Sequence, residues 1–122
     1  MLVEFQVDGE LCILRLTGRF ATGQDTTYLR EQTEELKRRG CYLVLVDFQN
    51  VAYIDSTGIG FLIGIYTSII KHPGGKFGIC CPNAKVREVL ELCRLNTVFP
   101  IYEDEAAALT AMKAGDSALS GR

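Results

Sequence analysis

The sequence LVLVD at residues 43–47, followed by DSTG at 55–58 and a long apolar run that ends at Ile70, decides the fold. Four apolar residues closed by Asp47 are typical of a strand that is buried on both faces. The later run is too long for an ordinary strand, and its bulky residues recur at helical spacing. Because a helix needs acceptors for its first N–H groups, the acid and two hydroxyls before this run predict the exposed start of a buried helix.

The composition describes one small domain without a strong charge. The chain has 122 residues, enough for one core, and its hydrophobic content of 48% is typical of globular proteins. Its formal net charge of −2 argues against nucleic acid or an anionic membrane as a partner. The apolar run 59–70 falls short of the roughly 20 residues that a spanning helix needs. Since Glu4 and Asp8 interrupt any signal peptide, we expect a cytoplasmic protein without membrane insertion.

The five cysteines form an odd set without a metal-binding spacing. They are Cys12, Cys41, Cys80, Cys81 and Cys93. Most lie within or beside predicted strands, and adjacent Cys80-Cys81 is not a zinc motif. We interpret them as small, mostly buried hydrophobic residues in a reducing cytoplasm, in preference to metal or redox groups.

Strand and helix patterns alternate along the chain. Residues 2–17 alternate apolar and polar side chains around the turn signal Asp8-Gly9, which predicts a hairpin. The full order is β-β-α-β-α-β-α-β-α, with Asn83 as the predicted cap of the third helix. This order predicts an α/β fold, a single mixed and largely parallel sheet with an N-terminal hairpin and about four helices. Residues 1–113 would form the domain, and the small, polar residues 114–122 a flexible tail.

The tetrapeptide 55–58 admits several interpretations. It fits a simple helix cap. An aspartic protease is disfavoured because Gly58 comes one residue late and the chain supplies only one such acid. A G-x-S-x-G elbow fails because Ile54 stands where the first glycine belongs. The single histidine, His72, lies beside Pro73 and favours a loop or helix-end role over catalysis.

Three glycines in the same region are similar to a dinucleotide fingerprint. That motif needs its glycines in the turn before the helix, whereas Gly60 and Gly64 fall inside the predicted helix. We interpret Gly58, Gly60 and Gly64 as close-packing positions, at which the helix approaches the sheet or a partner. A small nucleotide-binding protein remains an alternative.

With the tetrapeptide placed after a buried strand, the chain resembles a STAS domain, the fold of bacterial anti-sigma factor antagonists. The strand at 43–47 and the segment VAYIDSTGIG at 51–60 carry the resemblance, where the family shows a spacer and D-S-[ST]-G-[LI]-G. The segment LRLTG at 14–18 resembles the family's second strand, and residues 85–99 resemble its next-to-last helix and the strand entry after it.

The resemblance implies a protein–protein switch and not an enzyme. In that family a partner kinase, which is also the anti-sigma factor, phosphorylates the serine that corresponds to Ser56. The unphosphorylated protein would bind this anti-sigma factor serine kinase and free a sigma factor, and a metal-dependent serine phosphatase would reset the switch. No catalytic residue, cofactor or metal ligand is implied. The implied partner-binding residues are Asp55, Ser56, Thr57, Gly58 and Gly60.

Two positions depart from the family pattern. An acidic residue is common near the position of Ala21, and glycine is common near the position of Arg94. Alternatives within the same fold are a stressosome component and a lipid-transport accessory.

Overall fold

The structure is a computed structural model, and it describes residues 2–20 and 26–120. The described part contains five strands and four α-helices in the predicted order, with a short 3-10 turn at Leu95–Thr97. The elements are β1 (Leu2–Asp8), β2 (Leu11–Phe20), α1 (Thr26–Arg38), β3 (Leu43–Ile54), α2 (Ser56–Ile70), β4 (Lys76–Cys80), α3 (Ala84–Leu92), β5 (Ile101–Tyr102) and α4 (Glu105–Ser120).

The strands form one mixed sheet in the order β1-β2-β3-β4-β5. The hairpin pairs β1 antiparallel to β2, with Val3 opposite Leu16. The remaining neighbours are parallel, with Val44 of β3 between Cys12 of β2 and Phe77 of β4. The predicted fold class is therefore confirmed. Because β2 to β5 run in one direction, their carboxyl ends meet at one edge of the sheet, and α2 starts at this edge.

The two faces of the sheet are covered unequally. The larger core lies under α1, α2 and α3, and it contains Val44, Val46 and Phe48 of the central strand. The smaller core lies under α4 and contains Leu45, Cys80 and other apolar residues of the alternate positions. Alternation along β3 explains the division, since successive side chains point to opposite faces. Among the described residues, no helix is long and apolar enough to cross a membrane.

Some elements extend beyond their predicted ends. The sequence predicts that β3 ends at Asp47, but the strand continues to Ile54, and β2 continues to Phe20 beside it with two register shifts. Helix α4 continues to Ser120, through residues that we expected to form a tail. Its alanines and leucines favour a helix, and Gly115 alone does not end it. The expected flexibility of that tail stays a prediction.

The interpretation of the cysteines as small hydrophobic residues in a reducing cytoplasm, without redox chemistry, is wrong for one pair. Cys12 of β2 and Cys41, which follows α1, form a disulfide with a Cα–Cα distance of 6.0 Å. Both residues are buried in the larger core. Their separation of 29 residues hides the pairing in the sequence. Cys80 is buried as expected, whereas Cys93 is exposed.

Candidate functional site at the start of helix α2

Helix α2 begins at a well-formed cap. Asp55 has an extended backbone, and its carboxylate accepts hydrogen bonds from the N–H groups of Thr57 (2.9 Å) and Gly58 (3.2 Å). The N–H of Ile59 donates to the Asp55 carbonyl at 2.9 Å, which starts the helical ladder. The carboxylate thus satisfies donors that would otherwise lack a partner and places negative charge at the positive end of the helix dipole. The prediction that Asp55 caps this helix is confirmed.

Ser56 is the first helical residue, and its side chain is exposed. The residues on either side of the tetrapeptide are fixed, because Ile54 and Ile59 are buried in the larger core. No hydrogen bond to the Ser56 hydroxyl occurs among the described residues. The site therefore presents a hydroxyl to solvent from a rigid helix end.

A line of residues along α2 shares this exposure, and we call it the α2 stripe. It consists of Ser56, Gly60, Ile63, Gly64 and Thr67. The spacing of three and four residues places them on one side of the helix. Ile63, at the centre of this line, exposes 41% of its surface. The stripe is thus small, apolar in its middle and polar at the Ser56 end.

The structure corrects the interpretation of two glycines. A Cβ atom added at Gly60 or Gly64 would meet no atom within 4 Å, so neither glycine permits close approach of the helix to the sheet. Both residues face solvent and line a shallow groove toward α1, opposite Arg30 and Lys37. Gly58, by contrast, is buried. Two reasons for these glycines follow from the sequence, close approach to the sheet or to a partner. Because Gly60 and Gly64 are open to solvent, only approach to a partner remains.

Two further contacts surround the end of β3. Exposed Arg19 of β2 lies over the ring of Tyr53, with 5.1 Å from its guanidinium carbon to the ring centroid. The side-chain nitrogen of Asn83 donates to the Val51 carbonyl at 3.2 Å, while its oxygen accepts from the N–H of Val86 at 2.8 Å. Asn83 therefore caps α3, as predicted, and also ties that helix to the strand that leads into Asp55.

His72 lies at the opposite end of α2 from Ser56. Its ring stacks on Tyr42 with a centroid distance of 3.4 Å, and its Nδ1 lies 3.2 Å from the Pro73 carbonyl oxygen. It cannot serve as a base for Ser56 from this position.

The two positions that depart from the family pattern are Arg94 and Ala21. Arg94, where glycine is common in the family, adopts a left-handed conformation with φ of +59° after α3. Ala21 lies outside the described residues.

Sequence reasoning missed a polar cluster on the other face of the sheet. The Arg15 guanidinium donates through Nη1 to Asp47 at 2.6 Å and to Glu105 at 2.5 Å. Its Nε also donates to Gln6 at 2.9 Å. Asp47 is the one charged residue buried in the described part of the chain, and its other carboxylate oxygen accepts from the Gln49 N–H. The hydrogen bond with Glu105, and then that with Asp47, raises the pKa of Arg15 further above its usual range.

Two thiols adjoin this cluster. Cys80 is the β4 residue paired with Asp47 in the parallel ladder, and Cys81 follows it. Burial raises the pKa of both thiols. Alternation along β2 predicts that Arg15 shares a face with Leu11 and Ile13, but nothing local indicates its partners 32 and 90 residues away.

Comparison with known proteins identifies the family. The STAS domain family matches residues 3–108. The chain belongs to the STAS domain family. Within it, the chain is related to the anti-sigma factor antagonists: it is 28% identical to the anti-sigma F factor antagonist of Paenibacillus polymyxa, with 91% of this chain and 94% of that protein covered. A putative anti-sigma factor antagonist of Thermotoga maritima is 30% identical, with 66% of this chain and 70% of that protein covered.

Solved structures show the same fold. The crystal structure of a putative anti-sigma factor antagonist from Thermotoga maritima (TM1081) aligns with a TM-score of 0.83 at 23% identity, covering 91% of this chain and 94% of that one. The Bacillus cell fate determinant SpoIIAA in its phosphorylated form aligns with a TM-score of 0.65 at 18% identity, covering 88% and 96%. The predicted STAS fold is confirmed, and the role of Ser56 stays a prediction.

Proposed function

We propose that this STAS domain is an anti-sigma factor antagonist that works as a phosphorylation-controlled protein–protein switch. With Ser56 unphosphorylated it binds an anti-sigma factor that is also a serine kinase, and so frees a sigma factor. Phosphorylation of Ser56 releases the kinase, and a metal-dependent serine phosphatase resets the switch. The protein itself performs no catalysis in this proposal.

The observation that carries the proposal is the exposed Ser56 hydroxyl at the first position of a capped helix. A kinase must bring this hydroxyl to its nucleotide, and no group in residues 2–20 or 26–120 forms a hydrogen bond that would hold the hydroxyl back. The relatives supply the partner class, since they are named as antagonists of anti-sigma factors. The fold is also shared with a protein solved in a phosphorylated form.

The charge of a phosphate explains why modification would change binding more than folding. A phosphoserine adds roughly −1.5 to −2 charge at neutral pH. The helix dipole favours this charge at the start of α2, while the Asp55 carboxylate opposes it. The two effects offset one another in the free protein. A partner that covers the α2 stripe must in addition desolvate the new charge, which costs several kcal/mol in order of magnitude.

The proposed contact surface is Asp55, Ser56, Thr57, Gly58 and Gly60. Of these, Ser56 and Gly60 are exposed and Asp55 and Thr57 are half-buried, while Gly58 is buried. We therefore assign direct contact to Ser56 and Gly60 and a positioning role to Asp55 and Gly58. The stressosome, lipid-transport and nucleotide-binding alternatives stay predictions without a structural observation of their own.

The test begins with the kinase that co-purifies with this protein from its source cell. Incubation of the pair with ATP should place one phosphate on Ser56, mapped by mass spectrometry. The neighbouring hydroxyl provides the matched control, so Thr57→Ser should be modified as the wild type is, and Ser56→Ala should remain unmodified and bound. Phosphate on Thr57 with Ser56 bare would contradict the assignment.

The second arm separates charge from position. Ser56→Asp should weaken kinase binding in a calorimetric titration, whereas Thr67→Asp places the same charge on the same stripe about three turns away and should weaken it less. Thermal melts of both variants should stay close to the wild type. Equal affinities of wild type and Ser56→Asp for the kinase would place Ser56 outside the interface.

A further inference from the structure

Three potential metal ligands meet on the face of the sheet that α4 covers. The ligand atoms of Asp47, Cys80 and Cys81 all lie within 4.8 Å of one another. Asp47 and Cys80 are side by side because β3 and β4 pair them in parallel register. The cluster lies in the smaller core and belongs to neither α2 nor the surface proposed for the kinase.

The backbone at Cys81 explains how adjacent cysteines serve one site. Consecutive residues of an extended strand point to opposite faces of a sheet. Cys81 instead has a left-handed backbone with φ of +65°, and its side chain joins the same small core as Cys80. This conformation is costly for a residue with a side chain. Such strain persists where surrounding structure fixes it, and it is found preferentially at binding and catalytic sites.

We propose that Asp47, Cys80 and Cys81 form a binding site for a thiophilic divalent metal ion, with Zn²⁺ as the ion that fits. Two sulfur ligands and one carboxylate oxygen are ligand types that zinc takes in proteins, and a fourth position toward solvent would hold water. Cys81 is half-buried and Glu105 beside the cluster is partly exposed, so the cluster borders solvent on this side.

The charges around the cluster suit this ion. With both thiols protonated, the formal charges of the Asp47 and Glu105 carboxylates and the Arg15 guanidinium sum to −1. Binding of Zn²⁺ forms two zinc–thiolate bonds and one zinc–carboxylate bond and releases two protons to solvent. Two positive charges leave and two arrive, so the sum stays at −1. The ion takes the place of the thiol protons and leaves the Arg15 ion pairs in position.

The geometry needs only a small adjustment. A tetrahedral zinc with Zn–S near 2.3 Å and Zn–O near 2.1 Å holds its ligand atoms roughly 3.6–3.8 Å apart. Since no two of the three ligand atoms are more than 4.8 Å apart, each pair has to close by about 1.2 Å or less. The hydrogen bonds that Asp47 accepts from Arg15 and Gln49 fix its carboxylate, as hydrogen bonds to a ligand side chain do in other metal sites.

The test uses the full chain without an affinity tag. Free thiols are counted first, and three are expected with the Cys12–Cys41 disulfide intact. Calorimetric titration with Zn²⁺ should then show one tight site. Titration with Co²⁺ should give the ultraviolet charge-transfer band of thiolate ligation. Cys81→Ser should weaken Zn²⁺ binding at least about tenfold and remove most of the band, and Cys80→Ser provides a second variant should one fail to fold.

Cys93 supplies the matched control, because it is a free cysteine outside the cluster. Cys93→Ser should bind Zn²⁺ and Co²⁺ as the wild type does. A wild type with three counted thiols that binds Zn²⁺ no better than Cys81→Ser overturns the proposal. So does a charge-transfer band that survives in Cys81→Ser and disappears in Cys93→Ser. Since neither variant touches α2, kinase binding through Ser56 is tested separately and can fail or succeed independently.

Discussion

The start of α2 and the Arg15 cluster are both polar sites on the same central strand, yet they differ in how they are built. At α2, four consecutive residues supply the cap, the hydroxyl and the first helical turn. In the cluster, Arg15, Asp47 and Glu105 come from β2, β3 and α4 and meet only when the helix packs on the folded sheet. The first site can change charge with little effect on the fold, because its hydroxyl is exposed. The second centres on the buried Asp47 carboxylate, which depends on the partly exposed Arg15 guanidinium for its opposite charge.

The largest effect on stability should follow from removing Arg15, the cation that pairs with the buried Asp47. Arg15→Met leaves the Asp47 carboxylate buried without its cation and should lower the free energy of unfolding by about 3 kcal/mol. The measurement is urea unfolding in a buffer that contains a chelator. Arg87→Met is the control, since Arg87 pairs with Glu103, whose side chain is 84% exposed. Arg87→Met should lower the free energy of unfolding by less than about 1 kcal/mol. Equal losses in Arg15→Met and Arg87→Met would show that the Arg15 cluster contributes no more to stability than an exposed ion pair.

The same contrast decides what the sequence could predict. The buried strand, the cap at Asp55 and the cap at Asn83 rest on neighbouring residues, and the structure confirms them. The end of β3 was misplaced because a buried aspartate resembles a strand terminator. Asp47 is tolerated inside the strand because Arg15, 32 residues earlier in the chain, pairs with it, and beyond Asp47 the strand continues by pairing with β2 as far as Ile54.

The disulfide failed to be predicted for the same physical reason. Cys12 and Cys41 come together only when β2 pairs with β3 and α1 packs across them. The glycines of α2 show a second kind of error. A glycine inside a helix indicates a position without a side chain, but the sequence does not show whether that position faces the sheet or the solvent. The candidate site was thus predictable in its position and only in part in its surroundings.

Removal of the cap should have a moderate effect on stability. Asp55→Ala deprives the N–H groups of Thr57 and Gly58 of their acceptor and should lower the free energy of unfolding by about 1 kcal/mol, read from thermal or urea unfolding. Asp55→Asn keeps an acceptor oxygen at the same place and should cost clearly less. Equal losses in the two variants would mean that the charge and not the hydrogen bond stabilises this helix start, because both variants remove the charge and only the alanine variant removes the acceptor.

A substitution at the end of α3 should change stability by a similar amount, but it should raise it. Arg94 adopts a left-handed backbone, which a residue with a side chain adopts at a cost of roughly 1 kcal/mol relative to glycine. Arg94→Gly should therefore raise the melting temperature by a few degrees, as about 1 kcal/mol does in a domain of this size. Glu91→Gly lies inside the neighbouring helix and should lower it. A fall in melting temperature for Arg94→Gly would show that the Arg94 side chain contributes more than its backbone costs.

The smallest effect on stability carries the sharpest information about binding. A methyl group at Gly60 would meet no atom within 4 Å, so Gly60→Ala should not strain the domain. It should raise the free energy of unfolding by about 0.5–1 kcal/mol, because alanine loses less backbone freedom in a helix than glycine does. The change lies one turn from Ser56 on the α2 stripe, where the proposed kinase interface needs a bare backbone. We therefore expect a domain that is slightly more stable and yet binds the kinase more weakly in a calorimetric titration. Gly64→Ala is equally open and one turn farther from Ser56, so it should give the same gain in stability with a smaller loss of affinity. If Gly60→Ala binds the kinase as tightly as the wild type, the interface does not reach beyond the first turn, and contact must rest on Ser56 and the residues before it.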